Sequence, residues 1–169
     1  MATAQGVVVP IKCIEADSVH EVYAEMERLV PEHDVVIHAM AVSDFTFDSD
    51  AMVKIKSTDI DSLRKVFMES MKVAPKILPM IKKWNSAIIL IGFKFEVGVS
   101  YDRLIEIARG QMLECHCDLV LANDKEEIKK ANSHIGYILS KDPDEGIIRC
   151  RDKKNIAHML LRQIKANLW

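Results

Sequence analysis

Two runs of consecutive apolar residues limit what this chain can fold into. Ala87-Ile88-Ile89-Leu90-Ile91-Gly92-Phe93 and Leu119-Val120-Leu121-Ala122 leave no polar face. A strand of that kind must be covered on both sides, as happens in parallel sheets flanked by helices. Between them Leu104, Ile105, Ala108 and Met112 recur at helical spacing, the pattern of a crossover helix. Val35-Val36-Ile37, running on through Ala39-Met40-Ala41-Val42, reads as a third strand buried on both faces. Val7-Val8-Val9 through Ile11 and Ile14 reads as a further strand, with Pro10 marking an edge or a break.

The other segments complete the pattern. Ser18-x-x-Glu21 is a capping box opening a helix with Val19, Val22, Tyr23, Met26, Leu29 and Val30 on one stripe, which Pro31 stops. The acidic stretch 44–60 reads as a loop or flap, and 65–73 suits helix or strand equally. Pro75 fits the first turn of a helix through Ile77, Leu78, Met80 and Ile81. Residues 135–150 form a hairpin around Asp142–Gly146, and Ile156, Ala157, Leu160, Leu161 and Ile164 mark a last helix. The expected fold is therefore one α/β domain over 1–169. It is a Rossmann-like three-layer sandwich, a mostly parallel sheet with helices on both faces and a C-terminal hairpin.

Composition removes several functions. Lys+Arg 23 against Asp+Glu 25 gives a net charge of −2, with no broad footprint for nucleic acid or an anionic membrane. No run reaches the ~20 apolar residues of a membrane span, and the N-terminus lacks the basic start of a signal peptide. The six glycines include no G-x-G, which excludes the dinucleotide fingerprint and the P-loop within these residues. The four cysteines form no C-x-x-C pair, so reduced thiols in a cytoplasm are the simpler reading. Cys115-His116-Cys117 lacks the paired spacing of a zinc site, and no metal ligand set is assigned.

Ligands of such sheets bind at the carboxyl ends of the strands. That directs attention to Ala41–Phe45, Gly92–Glu96 and Ala122–Asp124, where Ser43-Asp44 and Asn123-Asp124 stand. A carboxylate at these ends serves a metal ion or a sugar hydroxyl, or simply caps a turn. Lys54 and Lys56, two residues apart in an extended segment, share one side and suit a phosphate clamp or a solvated loop.

Five segments in order add a resemblance. Ala39-Met40-Ala41-Val42-Ser43-Asp44-Phe45 resembles the A-A-V-A-D-W/Y motif of phosphopantothenate–cysteine ligases. Lys54-Ile55-Lys56-Ser57 resembles their K-I-K-K flap, Pro75-Lys76-Ile77-Leu78 their P-D-I-L, and Leu90–Glu96 their G-F-A-A-E strand end. Ala108-Arg109 followed by Asp118–Asp124 resembles A-R…D-L-I-V-A-N-D. The S-D-F and G-F-K variants lean towards stand-alone ligases of some Gram-positive bacteria.

The resemblance implies activation of 4′-phosphopantothenate by CTP, or ATP, with Mg²⁺, then joining to cysteine in coenzyme A synthesis. It implies a phosphate contact for Lys54 from a flap at about 46–60, and a nucleotide or metal contact for Asp44. Ala39, Met40, Ala41, Pro75, Lys76, Ile77 and Leu78 would line the nucleotide site, with Phe93 beside it. Asn123 and Asp124 stand at a substrate-side or structural strand end. Members are dimers.

The chain departs from the family pattern in three ways. The glycine-rich segments T-A/S-G-G-T-x-E-x-I-D and I-T/S-N-x-S-S/T-G-x-x-G are absent. Gln111 and Cys115 stand where lysines are frequent, and Ser57 replaces the last flap lysine. The expectation is a homodimer, or a complex with a separate N-terminal polypeptide that supplies the glycine-rich part. An exposed sheet edge accompanies it. The rival expectation is a non-catalytic or degenerate relative serving binding or assembly.

Overall fold

In the computed structural model, residues 2–4, 7–9, 11–47 and 60–168 are described. The order is β1 (Ala2–Ala4), β2 (Val7–Val9), α1 (Val19–Leu29), β3 (Val35–His38), β4 (Phe45–Phe47), α2 (Ile60–Ser70), β5 (Met71–Val73) and α3 (Leu78–Trp84). There follow β6 (Ile89–Glu96), α4 (Tyr101–Cys115), β7 (Leu119–Asp124), α5 (Lys125–Ala131), β8 (Gly136–Ser140), β9 (Ile147–Cys150) and α6 (Lys153–Leu168).

The central five-stranded sheet has the order β3-β6-β7-β8-β9. β3/β6 and β6/β7 pair in parallel; β7/β8 and β8/β9 pair antiparallel. Thus β3, β6, β7 and β9 point one way and β8 opposes them, giving the expected mostly parallel sheet with its C-terminal hairpin. The register sets Ile91 beside Ile37 and Leu119, and Lys94 beside Ala122.

The two apolar runs serve two cores by alternation. Leu90, Val120 and Ala122 pack with Ile81, Leu104, Ala108 and Met112 of α3 and α4. Ile89, Ile91, Leu119 and Leu121 pack with Ile156, Leu160 and Ile164 of α6. Helices therefore cover both faces.

Local chemistry starts α1 where the sequence predicts. Ser18 Oγ accepts from the Glu21 N–H, and Glu21 accepts from the Asp17 N–H. Ser100 Oγ likewise caps α4.

Three expectations are corrected and one ambiguity is resolved. The third strand stops at His38, and it is not buried on both faces: Ile37 is 48% exposed. The cause is its position, because β6 is its one partner among the described residues. The helix near Pro75 starts at Leu78, with Pro79 in its first turn. The ambiguous 65–73 segment splits into the end of α2 and β5, and β5 pairs with β4 as a separate antiparallel ribbon. The strand expected over 7–14 ends at Val9 and pairs with β1, apart from the central sheet. Most of the expected flap, 48–59, lies outside the described residues.

One buried carboxylate ties several elements together. Asp118, just before β7, accepts from the Leu90 N–H at 2.8 Å, from Lys82 Nζ at 2.7 Å and from Lys141 Nζ at 2.6 Å. Its own N–H donates to Leu90 O, and its carbonyl accepts from the Lys141 N–H. α3, β6, β7 and the end of β8 meet there. Burial would raise the carboxyl's pKa, but the two ammonium groups and the amide outweigh it, and the pKa is lowered.

Three of the four cysteines are core residues. Cys115, Cys117 and Cys150 are buried and Cys13 is exposed. Burial, aided by Cys115 and Asp118, pushes the Cys117 thiol up to about 12, and it raises Cys115 and Cys150 as well.

Replacing Asp118 with Asn would strand Lys82 in a largely buried site. We expect a loss of roughly 3–5 kcal/mol in chemical denaturation. A depressed folded pKa confers stability above the unfolded value, which is lost as pH falls through the folded one. The acid limb of the wild-type stability profile should therefore flatten in Asp118→Asn. Thiol titration of the native protein with an aromatic disulfide should modify Cys13 alone. Cys115, Cys117 and Cys150 should react only on unfolding, since each is buried and its thiolate is disfavoured.

Candidate functional site

A cleft of about 490 Å³ opens at the carboxyl end of β3 and runs along α4. Met40, Val42, Ser43 and Asp44 enter it from the segment after β3. Pro75, Lys76, Ile77, Leu78 and Pro79 enter from the start of α3. His38, Lys94 and α4 residues including Gln111, Glu114 and Cys115 form the rest of its wall.

Asp44 is shaped by its own turn. Ser43 Oγ bonds the Phe45 backbone in both directions, accepting from its N–H and donating to its carbonyl. The Ala74 N–H donates to Asp44 O at 2.9 Å, joining this turn to the segment before α3. Across that junction Lys76 Nζ donates to Asp44 Oδ1. The bond lowers the Asp44 pKa and raises that of Lys76, with Lys94 adding to the first effect. Asp44 is therefore firmly anionic at neutral pH. Both side chains are about two-thirds exposed, 66% and 67%, so a ligand can reach them.

His38 closes β3 and is buried. Its Nε2 has no hydrogen-bond partner among the described residues, and burial lowers its pKa. The imidazole is neutral at physiological pH. On β6, Gly92 permits a close approach: an added Cβ would lie 2.7 Å from Gln111 Nε2. Gln111 uses that space to donate to Phe93 O at 3.3 Å.

The residues singled out by sequence separate into groups. Met40, Asp44, Pro75, Lys76, Ile77 and Leu78 share the cleft. Ala39 and Ala41 alternate with lining residues and do not themselves line it. Phe93 is turned away, because its side chain packs on the α6 face with Ile91. Its carbonyl alone faces the cleft side, through Gln111. Lys54 lies outside the described residues.

Asn123 and Asp124 sit elsewhere. Asn123 Nδ2 is 3.2 Å from His134 Nε2. Asp124 caps α5, accepting from the Glu126 and Glu127 N–H groups, and it also accepts from the Val99 N–H. Burial would raise its pKa, but these amides lower it. The turn feeding it needs Gly98 at φ +71°, a conformation that other residues adopt at a cost.

His38, Lys94 and Glu114 line the cleft without having been singled out as site residues. Strand parity was the available signal for Lys94, which lies two residues from Gly92 on one face of β6.

No group of three or more His, Cys, Asp and Glu side chains converges on a common point among the described residues. Cys115 and Cys117 are buried thiols and His116 is an exposed helix cap in the left-handed region. The cleft instead offers hard oxygen donors from Asp44 and Glu114. That set suits Mg²⁺, which takes one or two carboxylates and completes its shell with phosphates and water. Among the described residues no helix is long and apolar enough to cross a membrane.

Comparison with known proteins agrees with this architecture. Coenzyme A biosynthesis bifunctional protein CoaBC of Thermococcus kodakarensis is 31% identical over 159 residues, covering 92% of this chain and 35% of that protein. The CoaBC of Methanocaldococcus jannaschii is 25% identical over 166 residues, covering 96% and 39%. The chain thus spans between a third and two-fifths of the length of these curated relatives. Among solved structures, the DNA/pantothenate metabolism flavoprotein of Streptococcus pneumoniae matches with a TM-score of 0.75 at 29% identity, covering 96% of this chain and 78% of that one. The family model for the DNA/pantothenate metabolism flavoprotein C-terminal domain matches residues 2–168. The chain belongs to that family, the phosphopantothenate–cysteine ligase family its motifs resemble.

Proposed function

We propose that this chain carries the nucleotide-activating half of a phosphopantothenate–cysteine ligase acting in the cytoplasm. The observation that carries the reading is the shared cleft. Two segments far apart in sequence, Met40–Asp44 and Pro75–Leu78, meet there at a strand end. Both are segments by which the chain resembles the ligases.

The carboxylate of 4′-phosphopantothenate would attack the α-phosphorus of CTP or ATP, forming an acyl nucleotide and expelling pyrophosphate. The amine of cysteine would then attack the acyl carbon, forming the amide and releasing the nucleoside monophosphate. Both steps gather negative charge on phosphate oxygens, so fixed cations and excluded water lower their barriers.

Asp44, kept ionised by Lys76, would hold a nucleotide hydroxyl or the Mg²⁺ that accompanies the nucleotide. Mg²⁺ there would supply charge neutralisation along the phosphate chain. Lys54 would reach the phosphates from the flap, and Met40 with Pro75–Leu78 would line the nucleotide. A homodimer, or a second polypeptide with the glycine-rich segments, would complete the phosphopantothenate side.

The test is pyrophosphate release by purified chain with Mg²⁺, 4′-phosphopantothenate, cysteine and CTP or ATP. Release should require phosphopantothenate and fall on the order of 100-fold in both Lys54→Ala and Asp44→Asn. No release from folded protein, even with a polypeptide bearing the glycine-rich segments, would favour the non-catalytic binding or assembly role.

A further inference from the structure

Positive charge in the cleft comes from one side. Among the described lining residues, His38, Lys76 and Lys94 are the basic ones, and His38 is neutral for the reason given above. Helix α4 contributes Gln111, Glu114 and Cys115 to the wall, with no cation. Burial keeps the Cys115 thiol protonated. Gln111 and Cys115 are the two positions where the ligases it resembles frequently carry lysine. Lys76 and Lys94 stand at the second residue of P-D-I-L and the first alanine of G-F-A-A-E, where that pattern has no cation. The structure brings all four positions to the same cleft.

Lys94 is built into its position. Strand alternation sets Gly92, Lys94 and Glu96 on the face of β6 that carries α4. Lys94 Nζ rests 3.1 Å from Glu96 Oε1, and its side chain is 33% exposed. Its charge also reaches Asp44. The ammonium is thus held at the cleft and stays open to a ligand.

We propose that Lys94, together with Lys76, receives the phosphate chain of an anionic substrate, in the place of cations on α4. That the anion is a nucleoside triphosphate rests on the ligase reading; the polyphosphate contact itself rests on the cleft. Phosphate oxygens would replace Glu96 as the partner of Lys94, and a charge-assisted hydrogen bond of this kind is among the stronger polar contacts.

Calorimetric titration of the full chain with inorganic tripolyphosphate, then with CTP, tests this. Wild type should bind tripolyphosphate, and Lys94→Met should weaken it by about tenfold or more. Lys94→Arg should stay within about threefold of wild type, because the charge remains. Adding Gln111→Lys to Lys94→Met should recover part of the loss by returning a cation to α4, which a merely structural role for Lys94 would not allow. Unchanged affinity in Lys94→Met, or no tripolyphosphate binding to folded wild type, overturns the proposal. Absent pyrophosphate release, even with a polypeptide bearing the glycine-rich segments, alongside the expected tripolyphosphate pattern would remove the ligase reading and leave the Lys94 contact standing. Full release in Lys94→Met would do the reverse.

Discussion

The contact between Asp118 and its three donors is the constraint around which the sheet is assembled. A carboxylate at the start of β7 is buried, and burial of an unpaired charge is costly. Lys82 of α3, Lys141 after β8 and the Leu90 amide of β6 offset that cost from three directions. The parallel pair β6/β7 and the antiparallel pair β7/β8 are locked at the same end. Their opposite ends are then set in register, which is where the cleft and the Asp124 cap lie.

That division gives the two ends of the sheet different tasks. At the Asp118 end, ionic groups are buried and satisfied. At the cleft, Asp44, Lys76, Lys94 and Glu96 are paired but partly exposed. An exposed pair contributes little to stability, and a ligand can exchange partners with it at small cost. Pairing still matters, because it lowers the Asp44 pKa further and places both ammonium groups beside carboxylates before any ligand arrives. A polyphosphate with its cation suits such a site, since it brings opposite charges to both members of each pair.

Much of the cleft was legible as motif segments. Of the residues grouped by the resemblance, Met40, Asp44 and Pro75–Leu78 line one cleft, whereas Ala39 and Ala41 do not. Phe93 does not join them in lining the cleft, because parity along β6 turns its side chain towards α6. Ile89, Ile91 and Phe93 sit at alternate positions, so the face was readable in principle once the strand's start was known. The exposed Ile37 shows the complementary limit. Three consecutive apolar residues signal two-sided burial only when the strand has neighbours on both sides.

By itself, the sequence determined the element types wherever periodicity and capping agreed. The apolar runs made β6 and β7, Ser18-x-x-Glu21 opened α1, and the Asp142–Gly146 turn closed the hairpin. Each of these depends on local contacts or on a repeat within one element. The tertiary structure alone decided which residues meet across elements. Lys76 reaches Asp44 over a separation of 32 residues, and Asp118 gathers donors from α3, β6 and beyond β8. It also decided that Lys94 and Gln111 line the same cleft. Such meetings depend on strand order and register, which are set by the packing of two cores at once and leave no local mark in the sequence.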